Sequence, residues 1–167
     1  MSDIEGIAKF KDGSGIVMDL ACGTGLSGIA INNVGFKNVI GLDASQEMLN
    51  RVPEGTYSKM IKNLLGIDPM PEEIKNNCDV ILCVSAMVYN HMPPSIFETL
   101  LLVLKKGGYY VFNVRDSIWD STDLPYKAAV EKLIAEGKYK EVHRHKYKKG
   151  TTDESKKNAR SDLLVVQ

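Results

Sequence analysis

The chain has 167 residues, 44% hydrophobic and 25% charged, which suits one folded domain and excludes wholesale disorder. Its 21 basic and 21 acidic residues cancel, so no global field recruits nucleic acid or a membrane. No apolar run approaches the ~20 residues of a membrane span and no signal pattern opens the chain, so a cytoplasmic protein is predicted.

Short apolar runs then alternate with amphipathic segments, the pattern of β-α-β units around a parallel sheet. Residues 16–20 predict a short buried strand, and residues 25–34 a helix stopped by Gly35. Residues 39–42 predict a second strand, followed by a helix from about Ser45 with Met48 and Leu49 on one face. A third strand is predicted at 58–61 and a fourth, covered on both sides, at 79–84. Residues 95–104 show a helical period closed by Gly107, and 109–114 predict the fifth strand. A helix follows at 125–135, and two extended stretches at 142–147 and 163–166 suit a hairpin at the sheet edge. Residues 150–160 read as flexible. The sum is roughly seven strands and four or five helices in one doubly wound α/β domain.

The stretch Asp19-Leu20-Ala21-Cys22-Gly23-Thr24-Gly25 follows a predicted strand and opens a predicted helix. Small residues at Ala21, Gly23 and Gly25 permit a sharp turn and a close ligand approach to the backbone. Asp19 at the strand end faces the crevice beyond the sheet, where a carboxylate repels phosphate and favours an ammonium or sulfonium. Two other readings stand beside this one. Asp19 can simply cap the helix. Gly23-Thr24-Gly25-Leu26-Ser27-Gly28 also fits the G-x-G-x-x-G fingerprint of NAD-binding oxidoreductases, although the acid at 19 argues against a pyrophosphate there. Asp43, eighteen residues after Gly25, is placed to accept both hydroxyls of an adenosine ribose, and Asp43 or Ser45 also suits a helix N-cap. Met48 can pack on an adenine or fill the core.

The cysteines, Cys22, Cys78 and Cys83, are odd in number and have no His or Cys pair at ligand spacing. They read as reduced thiols, neither a disulfide framework nor a metal site.

Four segments in order, DLACGTG, GLDASQEML, CDVILCVSAMVYNHMPP and LKKGGYYVFNVR, resemble the motifs of class I S-adenosylmethionine-dependent methyltransferases. The likeness spans roughly residues 16–147. It implies a Rossmann-like α/β sheet of seven strands, the last antiparallel beside the fifth, in a single domain over residues 1–167. It implies S-adenosyl-L-methionine as cofactor and S-adenosyl-L-homocysteine as product. Carried over by position, Asp19 would lie near the methionine amino group through water, with the backbone of Ala21, Cys22 and Gly23 along the methionyl part. Asp43 would bind the ribose, Ala44 and Met48 would flank the adenine, and Asn63 and Leu64 would meet its edge. Cys83, Val84 and Ser85 would lie under the cofactor near the methyl.

Three departures qualify the resemblance. Ala21 replaces a glycine, Lys106 replaces a proline before the paired glycines, and only residues 1–15 precede the first strand where such proteins carry more helix. The last predicts an open cofactor site with weak binding and slow or absent transfer, so a non-catalytic cofactor-binding interaction module is the second function to weigh.

For the chemistry, His91 in Tyr89-Asn90-His91-Met92-Pro93-Pro94 lies in a loop expected near the methyl and is the candidate general base. His91 or Asn90 otherwise caps the next turn, and Tyr89 walls the substrate pocket or packs. No Asn/Asp-Pro-Pro-Tyr pattern follows the fourth strand, which argues against DNA-adenine or glutamine acceptors and leaves an unidentified small molecule or protein acceptor. Residues 138–149 hold six Lys/Arg, one Glu and two His among tyrosines. That run can bind RNA or an acidic partner, but it fits a lysine-guarded edge strand better.

Overall fold

A computed structural model describes residues 5–148 and 160–166. Five strands, β1 (Val17–Leu20), β2 (Val39–Asp43), β3 (Lys59–Lys62), β4 (Cys78–Met87) and β5 (Leu104–Arg115), pair in parallel. Beyond β5 lie β7 (Arg160–Val166), antiparallel to it, and β6 (Glu141–Lys148), antiparallel to β7, giving the order β3-β2-β1-β4-β5-β7-β6. The chain runs outward from β1 to β3, then returns to β4 and runs outward the other way. The switch point between β1 and β4 is where such sheets place their ligands.

Successive residues of each inner strand point to opposite faces, and both faces are covered. Met18, Ile40, Ile81, Tyr110 and Phe112 join one buried cluster, whereas Val17, Val39, Val80, Tyr109 and Val111 join another. The first is covered by α4 (Ile96–Leu101), α5 (Asp116–Trp119) and α6 (Tyr126–Ala135). At its centre the Phe97 ring meets Tyr110, Phe112 and Tyr126 edge-on at 5.3–6.0 Å. The second is covered by α2 (Leu26–Asn33) and by α1 (Glu5–Ala8) with the 3-10 turn Lys9–Asp12.

α2 ends as the glycine at position 35 predicts. Gly35 takes φ 102°, its N–H donates to Asn32 O at 2.9 Å, and Phe36 N–H donates to Ile31 O at 3.3 Å. This is the paired Schellman closure, sealed by burial of Ile31 with Phe36.

Several expectations need correction. The helix expected to run to Leu104 stops at Leu101, because Leu104 pairs with Cys78 and opens β5. The helix α3 (Gln46–Leu49) is one turn long, and its two apolar residues part company: Leu49 is 4% exposed and Met48 40%. Neighbours in a helix lie about 100° apart, so they cannot share a narrow face. Upstream of β1, the one-turn α1 and the 3-10 turn that follows it bury Ile7 completely against the sheet. The stretch 150–160 read as flexible lies, apart from Arg160, outside the described residues. Among the described residues no helix is long and apolar enough to cross a membrane.

Candidate functional site

At the switch point, the C-terminal ends of β1, β2 and β4 open into a cleft of about 460 Å³. A second hollow of about 580 Å³ adjoins it and shares Ala21, Gly23, Met48, Val84 and Ser85. The first volume lies within the range of small-molecule sites.

The β1–α2 turn builds one wall. Ala21, Gly23 and Gly25 all take left-handed backbone, with φ 56°, 55° and 87°. The turn closes through Gly25 N–H to Cys22 O at 2.9 Å and ties to β2 through Cys22 N–H to Leu42 O at 3.1 Å. A Cβ on Gly23 would meet no protein atom within 4 Å, so its bare backbone borders open cleft. Gly25 lines neither hollow; it starts α2, and a Cβ there would come within 3.0 Å of Val52.

Asp43 connects the turn to β2. Its Oδ2 accepts from Gly23 N–H and its Oδ1 from Ser45 N–H, both at 2.8 Å. The cap of α3 itself is Ser45, whose hydroxyl accepts from Met48 N–H at 3.3 Å. Each Asp43 oxygen keeps a second acceptor site, since a carboxylate offers about four lone-pair positions.

Asp19 is 1% exposed and sits behind the wall, not on it. Ser27 Oγ–H and Tyr57 O–H both donate to its Oδ2 at 2.6 Å, whereas its buried Oδ1 has no partner. Burial pushes this carboxyl above its ordinary range, and the two hydroxyls pull it back down. Neither hydroxyl was legible as a site residue. For Tyr57 the signals were Gly28 and Gly41, which become intelligible once its ring is seen lying on both.

Around the rest of the cleft, Ala44, Met48, Asn63, Leu64, Val84 and Ser85 all contribute walls. Asn63 is buried, its Nδ2 donates to Pro69 O at 3.0 Å, and its Oδ1 has no partner. The Leu64 N–H is already taken by Asp68 Oδ2 at 2.7 Å. Ser85 takes φ 62°, and its N–H donates to Asn113 Oδ1 at 2.6 Å. Cys22 borders the second hollow, while Cys83 lies fully buried beneath the floor. Desolvation pushes both thiols up to about 12, so neither is a nucleophile near neutral pH.

The imidazole of His91 is exposed on the cleft wall beside Asn90, Met92 and Pro93, and no side chain caps α4. Tyr89 does not wall the cleft: its hydroxyl lies 3.0 Å from Ser121 Oγ, outside the lining. Tyr126, missed in the sequence, braces the wall by donating to Met92 O at 2.5 Å.

Residues 11–159 match the family described as methyltransferase domain. Methyltransferase-like protein 27 of Homo sapiens is 32% identical over 122 residues, covering 72% of this chain and 48% of the human protein. The chain thus spans about half the length of the curated relatives it matches. Among solved structures, a SAM-dependent methyltransferase from Methanosarcina mazei superposes with TM-score 0.70 at 12% identity, covering 96% of this chain and 95% of that one. Magnesium protoporphyrin IX methyltransferase from Synechocystis PCC 6803, solved with bound SAM, gives TM-score 0.63 at 14% identity over 96% and 74% of the two chains. At these identities the structural likeness is one of fold. The family match over most of the sequence establishes that this chain belongs to the methyltransferase-domain family.

Proposed function

We propose that this chain forms a single S-adenosyl-L-methionine-binding domain that transfers a methyl group to a small-molecule or protein acceptor. The observation that carries the reading is the buried Asp19 carboxylate behind the glycine turn, with one oxygen left unpartnered. A negative charge there suits the ammonium end of the cofactor, reached through a bridging water, and opposes a pyrophosphate. The spare acceptor sites of Asp43 suit ribose hydroxyls, and the orphaned Asn63 Oδ1 suits the exocyclic amine of adenine.

The bound cofactor supplies a methyl on a sulfonium, a good leaving group, so orientation and water exclusion carry much of the acceleration. Ala21, Cys22 and Gly23 would hold the methionyl part, Ala44 and Met48 the adenine faces, and Leu64 its edge. Val84 and Ser85, over the buried Cys83, would form the floor near the methyl. His91 would take the acceptor's proton from the cleft wall. The antiparallel β6–β7 pair would complete the seven-stranded methyltransferase sheet, and the buried free cysteines suit the reducing cytoplasm.

Thermal unfolding tests the reading. A ligand that binds only the folded state stabilises it by about 2.7 kcal/mol at a hundred times its Kd. S-adenosylhomocysteine is expected to raise Tm and NAD at the same concentration to leave it unchanged; stabilisation by NAD alone would overturn the proposal. Transfer of labelled methyl into cell extract then separates a catalyst from a domain that only binds.

A further inference from the structure

We infer that Tyr57 is a positioning residue, holding the Asp19 carboxylate in register for the ammonium group of the cofactor's amino-acid end. The inference rests on the cofactor reading above and names a residue outside the glycine turn. Tyr57 lies between α3 and β3, and the chain on either side of it is tied down. Asn32 Nδ2 donates to Thr56 O at 2.7 Å, and Ser58 N–H donates to Val39 O at 2.8 Å. Its ring fills a slot made by two missing side chains: a Cβ on Gly28 would stand 2.4 Å from the ring, and one on Gly41 2.7 Å. Seated there, the hydroxyl reaches the end of β1 and donates to Asp19 Oδ2 at 2.6 Å, where Ser27 Oγ also donates. Two donors on one oxygen fix the plane of the carboxylate. The other oxygen keeps its full acceptor capacity inside a buried site, where an unmet acceptor favours a cationic or water partner. Tyr57 lines neither hollow, so it acts through Asp19 and not by touching a ligand.

Calorimetry with two ligands tests this. S-adenosylhomocysteine carries the ammonium, and 5′-methylthioadenosine keeps the adenosine and thioether without the amino-acid end. In Tyr57→Phe the ring still fills its slot, and binding of S-adenosylhomocysteine is expected to weaken about tenfold while 5′-methylthioadenosine changes by less than about twofold. In an Asp19→Asn background the same substitution should cost less than about twofold, since the two residues act as one unit. Ser27→Ala, which removes the other donor, should show the same selective loss. Equal loss for both ligands, no loss for either, or an undiminished loss in the Asp19→Asn background overturns the role of Tyr57 and leaves the cofactor reading standing. A wild-type chain that binds neither ligand overturns both.

Discussion

Among the residues lining the cleft, Ala21 and Ser85 hold left-handed backbone without being glycine or asparagine, the residues that adopt it most readily. Such a conformation costs an ordinary L-residue roughly 1–2 kcal/mol, and it is held here by the Cys22 N–H bond to Leu42 O and the Asn113 amide on Ser85 N–H. Asp19 adds a second local cost. Its carboxyl is raised by desolvation, with Asp43 raising it further and Ser27 and Tyr57 lowering it. A raised value means that the folded chain binds this proton more tightly than the unfolded chain. Stability is therefore present below the ordinary carboxylate value and is lost as pH rises through the folded one. Asp19→Asn is expected to melt above wild type at about pH 7 and to flatten the decline from about pH 4 upward. Thermal melts over a pH series check this; an unchanged slope would show that Asp19 carries no such burden.

At the scale of elements, α2 shows packing overruling propensity. Alanine is a better helix former than glycine by about 1 kcal/mol, so Gly28→Ala should stabilise a helix judged alone. Here the added Cβ would stand 2.4 Å from the Tyr57 ring, which is pinned by its neighbours. Gly28→Ala is expected to destabilise the protein by about 1–3 kcal/mol and to weaken S-adenosylhomocysteine binding with it. Urea titration measures the first and calorimetry the second, and a more stable variant with unchanged binding would refute the slot. The same glycine satisfies the third position of a dinucleotide fingerprint. Its physical reason in this fold is a tyrosine ring, which no spacing rule anticipates.

For the whole molecule, charge matters locally because it cancels globally. With 21 basic and 21 acidic residues, little overall repulsion keeps copies apart. Among the described residues the sheet order nevertheless ends on β6. That strand carries His143, Arg144, His145 and Lys146, all exposed, in the manner by which edges resist pairing with other chains. Replacing His145 and Lys146 together by valine is expected to bring concentration-dependent association, seen by light scattering, with little change in Tm. A variant that stays as dispersed as wild type would assign the basic run to another role.

Much of this architecture was legible from local pattern. Apolar runs placed the first four parallel strands to within about three residues but only the body of the fifth, which starts at Leu104, and Gly35 placed the end of α2, because hydropathic period and left-handed caps are properties of short segments. The ordered motifs likewise pointed to one crevice, which the doubly wound topology builds by itself. The rest depended on distance in three dimensions. Leu104 left its helix for a pairing with Cys78, Tyr89 turned to Ser121, and Asp43 proved to hold the glycine turn as well as a strand end. Tyr57 reached Asp19 across 38 positions of sequence. A hydrogen bond or a ring slot of that kind depends on side chains that only the packed sheet brings together, so no periodicity along the chain could announce it.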